Sequence, residues 1–390
     1  MYITHMLGRT LVNRLRQGTK SVLLLGPRQV GKSTLVRSLN PDLTINLADE
    51  VLFLSYSKDP GRLKREIQAK EKCYLIVIDE IQRVPSMLNS VQALLDEGKP
   101  HRFIFTGSSA RKLKRGGTNL LPGRIIIEHL DPLSIWELGS LFELEKSLRI
   151  GTLPGIYLDP KEGVSVLEAY TTTYLKEEIQ AEAVAKNIGS YARFLDVAAQ
   201  ASGEWINYSK IASDSEIPKE TVRRYFGLLE ETLLAFRVPA FKPRESARRV
   251  SQRDRFVFFD IGVRNAILGV HDQVLSPSEK GKLFEQWFIL QCFYFINSHK
   301  KSWSITSYRT DAGAEVDLIL DVGNKLLAIE CKYGKNVTEA QLGGLRSFEA
   351  VAHKPVKKYI AYQGETKQKF SKGEIAIPYK EFLTEFLSSI

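Results

Sequence analysis

The sequence predicts a mixed α/β protein: a parallel-sheet core with a phosphate-binding loop, a helical middle part and a second α/β domain. Three observations predict this fold class. The apolar run Val22–Leu25 leads through a glycine-rich loop into a helix pattern. A second apolar run, Leu75–Ile78, ends in two acids, and a long apolar helix pattern from Gly281 precedes three strand-like segments. At 390 residues, two or three domains are expected.

The segment GPRQVGKS, from Gly26 to Ser33, fits the pattern G-x-x-x-x-G-K-[ST] without a mismatch. Gly26 and Gly31 allow the tight turn that points backbone N–H groups at a phosphate. Lys32 adds positive charge at the β- and γ-phosphates, and the Ser33 hydroxyl can ligate Mg²⁺. We therefore expect ATP and Mg²⁺ to bind at Gly26, Pro27, Arg28, Gln29, Val30, Gly31, Lys32, Ser33 and Thr34. A strand-to-helix turn without a ligand is the alternative.

The apolar run Leu75–Ile78 is typical of a buried parallel strand, and it ends in Asp79 and Glu80. In an open α/β sheet, the carboxyl ends of strands lie beside the ligand crevice. We expect Asp79 to hold the Mg²⁺ shell and Glu80 to polarise the attacking water. The pair favours a hydrolase over a kinase, because a kinase transfers to a substrate hydroxyl instead of water. A structural role for both acids is the alternative.

Two further positions belong to this N-terminal part. Ser108 follows the strand-like run 102–106 and Gly107, so it is a candidate for contacting the γ-phosphate or the attacking water, although a simple turn there is equally compatible. Arg124 directly precedes another strand-like run, Ile125–Glu128. An ordinary loop arginine is one interpretation of Arg124.

The order of these motifs resembles that of AAA+ ATPases. The whole chain is similar to a family of archaeal and bacterial AAA+-like ATPases with a C-terminal region of unknown function, through GPRQVGKST, IDEIQRVP, TGSSARKL, LPGR and HLDPLSIWEL. In that superfamily, an arginine placed like Arg124 is an arginine finger that reaches the γ-phosphate of a neighbouring subunit. The resemblance implies a homo-oligomer, as a hexameric ring or an open assembly, with active sites shared between subunits.

Four parts are expected along the chain: an ATPase core at 1–131, a helical lid or connector at 132–200, a winged-helix domain at 201–255 and a nuclease-like domain at 256–390. The second helix of the winged-helix segment has an inward apolar stripe formed by Val222, Phe226 and Leu229. This stripe leaves Arg223 and Arg224 exposed. Such a helix can enter a DNA groove or contact a protein, and both interpretations stay open.

In the C-terminal part, the helix pattern from Gly281 places Glu285 on an apolar face, where an acid is costly without a partner such as a cation. The next strand-like segments carry Asp317 and then Glu330 and Lys332. Because strand side chains alternate, Glu330 and Lys332 share one side, and Asp317 on the neighbouring strand can join them. Carboxylates of this kind suit Mg²⁺ or Mn²⁺.

This order of an acid on a helix, an Asp and a Glu-x-Lys resembles the PD-(D/E)XK fold of restriction-endonuclease-like proteins. The resemblance implies that Asp317, Glu330 and Lys332 are catalytic at a phosphodiester. It also implies that Glu285, Asp317 and Glu330 hold Mg²⁺ or Mn²⁺. The alternatives are an inactive relative and a strand-edge salt bridge between Glu330 and Lys332.

The chain carries a net charge of +10, with basic clusters at Arg111–Gly117 and Phe241–Arg255. Such loops suit phosphate contacts, or they are simply solvated. The longest apolar run, Trp287–Ile296, is too short to span a bilayer. We expect a cytoplasmic protein with DNA, branched DNA included, as its partner and no membrane.

Together these features predict an ATP-hydrolysing protein in which ATP regulates the binding and cleavage, or the remodelling, of DNA. Two alternatives stay open. One is a nucleotide-dependent switch whose nuclease-like domain is inactive and only binds. The other is a protein-remodelling ATPase.

Overall fold

The computed structural model describes residues 7–70, 74–108, 123–171, 188–243 and 250–390. The chain divides into two compact units, one of residues 1–131 with 228–234 and one of residues 132–227 with 235–390. This division does not test the finer boundaries expected at residues 200 and 255.

The first unit contains five strands: β1 (Ser21–Leu25), β2 (Leu43–Asn46), β3 (Leu75–Asp79), β4 (Arg102–Gly107) and β5 (Ile125–His129). All neighbours are parallel, in the order β2-β3-β4-β1-β5. The helices around the sheet are α1 (Leu11–Gln17), α2 (Lys32–Arg37), α3 (Glu50–Lys58), α4 (Arg62–Gln68) and α5 (Met87–Asp96), with a 3₁₀ turn at Ile81–Arg83. The predicted parallel-sheet core is confirmed.

Burial explains why the central strands are continuous apolar runs. Every residue of β1 and β4 is buried, because both strands have a neighbour on each side. The rings of Phe103 and Phe105 stack with centroids 5.8 Å apart, in a core that includes Leu23, Ile76 and Ile78. This is the pattern of an interior parallel sheet covered on its faces.

From residue 132 the chain continues with helices: α6 (Ile135–Leu138), α7 (Leu144–Ile150), α8 (Pro154–Tyr157), α9 (Pro160–Ala169), α10 (Ile188–Gln200), α11 (Tyr208–Ser215) and α12 (Lys219–Glu231), with a 3₁₀ turn at Gly139–Leu141. All of these helices belong to the second unit except the last four residues of α12, which are counted with the first. An antiparallel pair follows, β6 (Ala235–Val238) and β7 (Arg255–Phe258). The predicted order of helix, turn, helix and strand over residues 207–241 is confirmed, whereas the winged-helix assignment stays a prediction.

The rest of the second unit contains α13 (Ile261–Ile267), α14 (Pro277–His299), β8 (Ser304–Arg309), β9 (Glu315–Asp321), β10 (Leu326–Lys332), α15 (Gly343–Glu349), β11 (Val356–Tyr362), β12 (Gln368–Lys369), β13 (Ile375–Pro378) and α16 (Tyr379–Glu381). Short turns occur at Glu339–Leu342, Phe382–Phe386 and Leu387–Ser389. The strands form a mixed sheet in the order β12-β13-β11-β10-β9-β8. In it β8, β9 and β10 are antiparallel, while β10, β11 and β13 run parallel.

The long helix α14 starts earlier than its apolar pattern. The Ser276 hydroxyl accepts a hydrogen bond from Glu279 N, and the Glu279 carboxylate accepts one from Ser276 N, which makes a capping box. Pro277 occupies the first helical position, where its missing N–H costs nothing. These end signals, and not the apolar stripe from Gly281, set the start of the helix. In the described part of the chain, no helix is both long and apolar enough to cross a membrane.

Candidate functional site

The loop between β1 and α2 depends on its two glycines. Gly31 has φ 93°, a left-handed conformation that glycine adopts without strain, and Gln29 has φ 64°. A Cβ on Gly26 would lie 2.3 Å from the carbonyl oxygen of Leu130. Side chains are therefore excluded at Gly26 by contact and disfavoured at Gly31 by backbone conformation, as the phosphate-binding pattern requires.

Lys32 lies inside this loop. It is 6% exposed, and its Nζ donates hydrogen bonds of 2.8 Å to the carbonyl oxygens of both Gly26 and Pro27. The ammonium group is thus held where the loop backbone curves around it. A buried cation in a glycine-lined loop is suited to an incoming anion such as a triphosphate.

Arg9 forms hydrogen bonds that hold the same loop, and no sequence motif predicts this role. Its guanidinium donates to the carbonyl oxygen of Val30 at 3.0 Å and to that of Asp131. The sequence separation is 21 residues to Val30 and 122 residues to Asp131, so no local pattern indicates either contact.

The acids predicted at the end of β3 are held by Thr106 on β4. Ile78 lies opposite Phe105 in the parallel pairing, so Asp79 is level with Thr106. The Thr106 hydroxyl donates to Oδ1 of Asp79 and accepts from the backbone N–H of Glu80 at 3.1 Å. One buried hydroxyl therefore orients both the Asp79 carboxylate and the Glu80 backbone.

Glu80 has an unusual backbone and a fixed carboxylate. Its φ is 60°, in the left-handed region that non-glycine residues rarely adopt. The Gln82 amide donates to Oε2 of Glu80 and, at 3.4 Å, to the Ser108 hydroxyl. Oε1 of Gln82 is buried and has no hydrogen-bond partner among the described residues. Gln82, which the sequence analysis did not single out, thus links the candidate catalytic acid to Ser108.

The parallel sheet brings these groups to one edge. The loop follows the carboxyl end of β1, Asp79 ends β3, and Ser108 follows β4. Because β4 separates β1 from β3, the start of the loop and Asp79 are two strand spacings apart, about 10 Å. The loop cation, the hydroxyl of Ser33 after it and the carboxylate of Asp79 are donor types that fit a Mg²⁺–nucleotide.

Arg124 does not join this edge in its own chain. It precedes β5, and Ile125 pairs with Ser21 at the start of β1, which is the opposite edge of the sheet. Its guanidinium forms an ion pair with Asp96. The basic cluster 111–117 and the Leu-Pro before Gly123 lie outside the described residues. A role of Arg124 toward a neighbouring subunit stays a prediction.

In the second unit, strand pairing brings three predicted residues together. Ile329 lies opposite Leu318 in the antiparallel pair, which places Glu330 level with Asp317 on the same face. The backbone N–H of Cys331 donates to Oδ2 of Asp317 at 2.8 Å. Lys332 Nζ donates to Oε1 of Glu330 at 2.7 Å. The salt bridge between Glu330 and Lys332 that the alternative interpretation expects is therefore present, at the end of the interior strand β10.

Glu285, the fourth predicted residue, has an arginine as its partner. Arg255 donates to Oε1 of Glu285 through one terminal nitrogen. Its other terminal nitrogen donates to the carbonyl oxygen of Asp317 at 3.2 Å, and its Nε donates to that of Gly203 at 2.7 Å. Arg255 belongs to the predicted basic cluster 241–255, yet its side chain is only 3% exposed.

The electrostatics of this carboxylate cluster (Glu285, Asp317 and Glu330) follow from its burial. Burial raises the pKa of Asp317 well above its usual value, and the nearby charges of Glu285 and Glu330 raise it further, against the effect of Arg255. Burial also raises the pKa of Glu330, although Lys332 opposes the shift. Burial therefore makes the ionised form of both carboxyl groups costly unless a further cation stabilises it.

A metal fits part of this cluster. No group of three or more His, Cys, Asp or Glu side chains in the described residues is placed to hold a metal ion. Among the described residues, however, the buried Oε2 of Glu330 has no hydrogen-bond partner, and Glu330 lies level with Asp317 on the neighbouring strand. Mg²⁺ is commonly held by one or two carboxylates plus water. Asp317 and Glu330 fit that description, whereas Glu285 is engaged by Arg255.

A polar groove of about 820 Å³ lies in the second unit, between the α10–α11 region and the end of β8. Its lining includes Trp205 and three exposed cations, Lys210, Arg253 and Arg309. The indole N–H of Trp205 donates to Oε1 of Glu315 at 2.9 Å, two residues before the cluster on β9. The groove therefore borders the strand that carries Asp317.

On α12 the predicted faces are confirmed. The stripe of Val222, Phe226 and Leu229 is buried, and Arg223 and Arg224 are exposed. Arg223 forms an ion pair of 2.8 Å with Glu220 on the same helix. A contact of these arginines with DNA stays a prediction.

Residues 18–139 match a family model described as an AAA domain, and residues 141–274 and 280–382 match two domains of unknown function (DUF8612 and DUF4143). The N-terminal match is an AAA-family ATPase domain. The C-terminal match carries no description of an activity. Uncharacterized proteins from Mycobacterium tuberculosis and Mycobacterium bovis are each 26% identical over 372 residues, which cover 93% of this chain and 81% of theirs.

Two solved structures show a weaker similarity. AMPPCP-bound DnaA from Aquifex aeolicus is 14% identical, covers 57% of this chain and 85% of its own, and has a TM-score of 0.25. A signal transduction ATPase with a tetratricopeptide repeat sensor from Pyrococcus horikoshii is 16% identical, covers 76% and 46%, and has a TM-score of 0.26. These TM-scores are too low to support a statement about function.

Proposed function

We propose that the AAA-family domain binds ATP with Mg²⁺ and hydrolyses it. The observation that carries this proposal is the common edge of the parallel sheet, where the loop around Lys32 lies beside Asp79 and Glu80. Lys32 is suited to the β- and γ-phosphates, and Ser33 and Asp79 are suited to hold the metal shell.

In this proposal Glu80 orients the attacking water. The Glu80 carboxylate accepts from Gln82, which also reaches the Ser108 hydroxyl. Water adds to the γ-phosphorus as the bond to the β–γ bridging oxygen breaks. One proton of the water stays on the phosphate, the other passes to solvent, and ADP and phosphate are released. Mg²⁺ contributes charge neutralisation at the phosphates. Gln82 and Thr106 act as positioning residues.

The test is the steady-state release of phosphate from ATP. We expect Lys32→Ala to lower the rate by about 100-fold or more, because a preorganised charge at the reacting phosphate is lost. Lys20→Ala is the matched control, since Lys20 is exposed and directly precedes β1. Equal rates in the wild type and Lys32→Ala would contradict the proposal.

We propose as a second activity that the C-terminal cluster cleaves DNA phosphodiesters with Mg²⁺ or Mn²⁺, under the control of ATP. What supports this is the unpartnered Oε2 of Glu330, level with Asp317 and beside Lys332. A divalent cation bound by the two carboxylates supplies Lewis-acid chemistry. Lys332 is placed to orient water and to offset charge that develops on the phosphate. Water adds to phosphorus, and one sugar oxygen leaves as a hydroxyl group with a proton.

Single-stranded, duplex and four-way-junction DNA, incubated with Mg²⁺ or Mn²⁺ and with or without ATP, test this activity. We expect cleavage by the wild type and by Asp321→Asn, which removes a charge on the same strand, and none by Asp317→Asn. Lys32→Ala shows whether ATP controls cleavage. If no DNA is cleaved while ATP is hydrolysed, a nucleotide switch or a protein-remodelling ATPase becomes the better proposal.

A further inference from the structure

Arg255 is the most constrained cation of the carboxylate cluster. Each of its three hydrogen bonds goes to a different part of the second unit: the loop at Gly203, the backbone of β9 at Asp317, and the side chain of Glu285 on α14. Two of these acceptors are carbonyl oxygens of ordered backbone. The guanidinium also lies over the ring of Trp205, 5.7 Å from its centroid. Its position is therefore set by the fold and not by the carboxylates alone.

The charges of the cluster are unevenly matched. Lys332 pairs with Glu330 at 2.7 Å, and Arg255 pairs with Glu285. Asp317 accepts a hydrogen bond from a backbone N–H, and its carboxylate forms no side-chain ion pair with any of the described residues. Three carboxyl groups thus share two side-chain cations, so a third cation is needed when all three are ionised.

We propose that Arg255 acts as a permanent cation of this cluster. By pairing with Glu285, it keeps that carboxylate from binding metal and limits the site to a single divalent cation, held by Asp317 and Glu330. This inference rests on the metal site proposed above. It assigns Glu285 to the arginine and not to the metal, contrary to the expectation from the sequence.

The geometry gives the reason. A metal cation near Glu285 would be repelled by the guanidinium of Arg255. Because that side chain is only 3% exposed, solvent screens the repulsion weakly. Glu285 can turn to a metal only by breaking its hydrogen bond to Arg255 and leaving a buried guanidinium without its carboxylate. Arg255 can move away only by breaking its other two hydrogen bonds and its ring contact. Glu330, in contrast, already offers an oxygen without a partner.

Mn²⁺ binding to the full chain without nucleotide tests the proposal, with the number of bound ions and the Kd read from the electron paramagnetic resonance signal of free Mn²⁺. An Asp79→Asn background removes the N-terminal carboxylate expected to hold metal. We expect one ion, a Kd raised at least tenfold by Glu330→Gln, and a Kd changed by less than about threefold by Glu285→Gln. Arg255→Met should lower the Kd about tenfold or add a second bound ion. The double variant Arg255→Met/Glu285→Gln should return the Kd and the number of bound ions to the wild-type values.

Loss of one partner of a buried ion pair destabilises a fold, so thermal melts accompany each variant. The double variant removes both partners, and Arg255→Lys keeps the charge and should bind Mn²⁺ like the wild type. Binding seen only after Arg255→Met would contradict the inference, since the wild type is expected to hold one ion. If Glu285→Gln weakens Mn²⁺ binding as much as Glu330→Gln does, the inference is overturned while the metal site stands. If no variant binds Mn²⁺, both the inference and the proposed metal site are wrong.

Discussion

The hydroxyl of Thr106 donates a hydrogen bond to Oδ1 of Asp79, so that a side chain of β4 fixes the acid that ends β3. The same hydroxyl accepts the backbone N–H of Glu80, whose φ of 60° turns the chain away from the strand. Both acids that the sequence analysis assigned to ATP hydrolysis therefore depend on one buried threonine.

Replacing Thr106 by valine keeps the shape of the side chain and removes the hydroxyl. We expect a loss of about 1 to 3 kcal/mol in the free energy of unfolding, because a buried N–H and a carboxylate each lose a partner. The rate of ATP hydrolysis should fall as well, whereas Thr106→Ser should retain most of it. Urea unfolding and phosphate release measure the two effects. If Thr106→Val releases phosphate from ATP at the wild-type rate, Thr106 does not contribute to catalysis.

Gly151 in the second unit has no room for a side chain. Its φ is 71°, and a Cβ would lie 1.9 Å from Oδ1 of Asp260. Gly151→Ala should therefore lower the free energy of unfolding by about 2 kcal/mol or more. Gly155→Ala is the matched control, because nothing lies within 4 Å of a Cβ there. Equal urea midpoints for the two variants would show that the contact is relieved without cost.

Asp260 should make stability depend on pH. Burial raises its pKa to about 6, although the backbone N–H groups of Thr152 and Val263 oppose the shift. The folded state then binds a proton at a higher pH than the unfolded state, whose pKa is near 3.9. The stabilisation is fully present below about pH 4 and is lost as the pH rises through 6.

The free energy of unfolding of the wild type, relative to Asp260→Asn, should therefore rise by roughly 2 kcal/mol between pH 7 and pH 4. Taking the difference removes the contribution of groups that titrate alike in both proteins. A difference that stays flat across this range would mean that Asp260 is ionised normally in the fold.

Arg124 has a prediction of its own, since the resemblance assigns it to a neighbouring active site. Arg124→Ala and Lys32→Ala should each hydrolyse ATP slowly when alone. Their mixture should regain activity, because the intact loop of one subunit meets the intact arginine of the other. If the mixture is only as active as the average of its parts, Arg124 acts within its own chain or only pairs with Asp96.

The parts of the site that could be predicted from the sequence are local in the chain. Lys32 and Asp79 stand next to a glycine pattern and at the end of an apolar run, and strand order alone brings them together. Thr106 and Gln82 were missed, because their contacts depend on the register between β3 and β4 and on the turn after Glu80.

The C-terminal half shows the same limit. Asp317 and Glu330 could be placed on one face because strand side chains alternate with a fixed period. The pairing of Arg255 with Glu285 spans 30 residues and two elements, so no periodicity indicates it. An arginine in a basic segment looks like a surface residue until the fold buries it.

The measurement that tests the central claim most directly compares ATP binding with ATP hydrolysis in Glu80→Gln. The loop around Lys32 is intact in this variant, and only the carboxylate expected to orient water is lost. We expect a Kd for Mg²⁺–ATP within about threefold of the wild type and a rate of phosphate release at least about 100-fold lower. Hydrolysis at the wild-type rate, or no binding of ATP by either protein, would contradict the account.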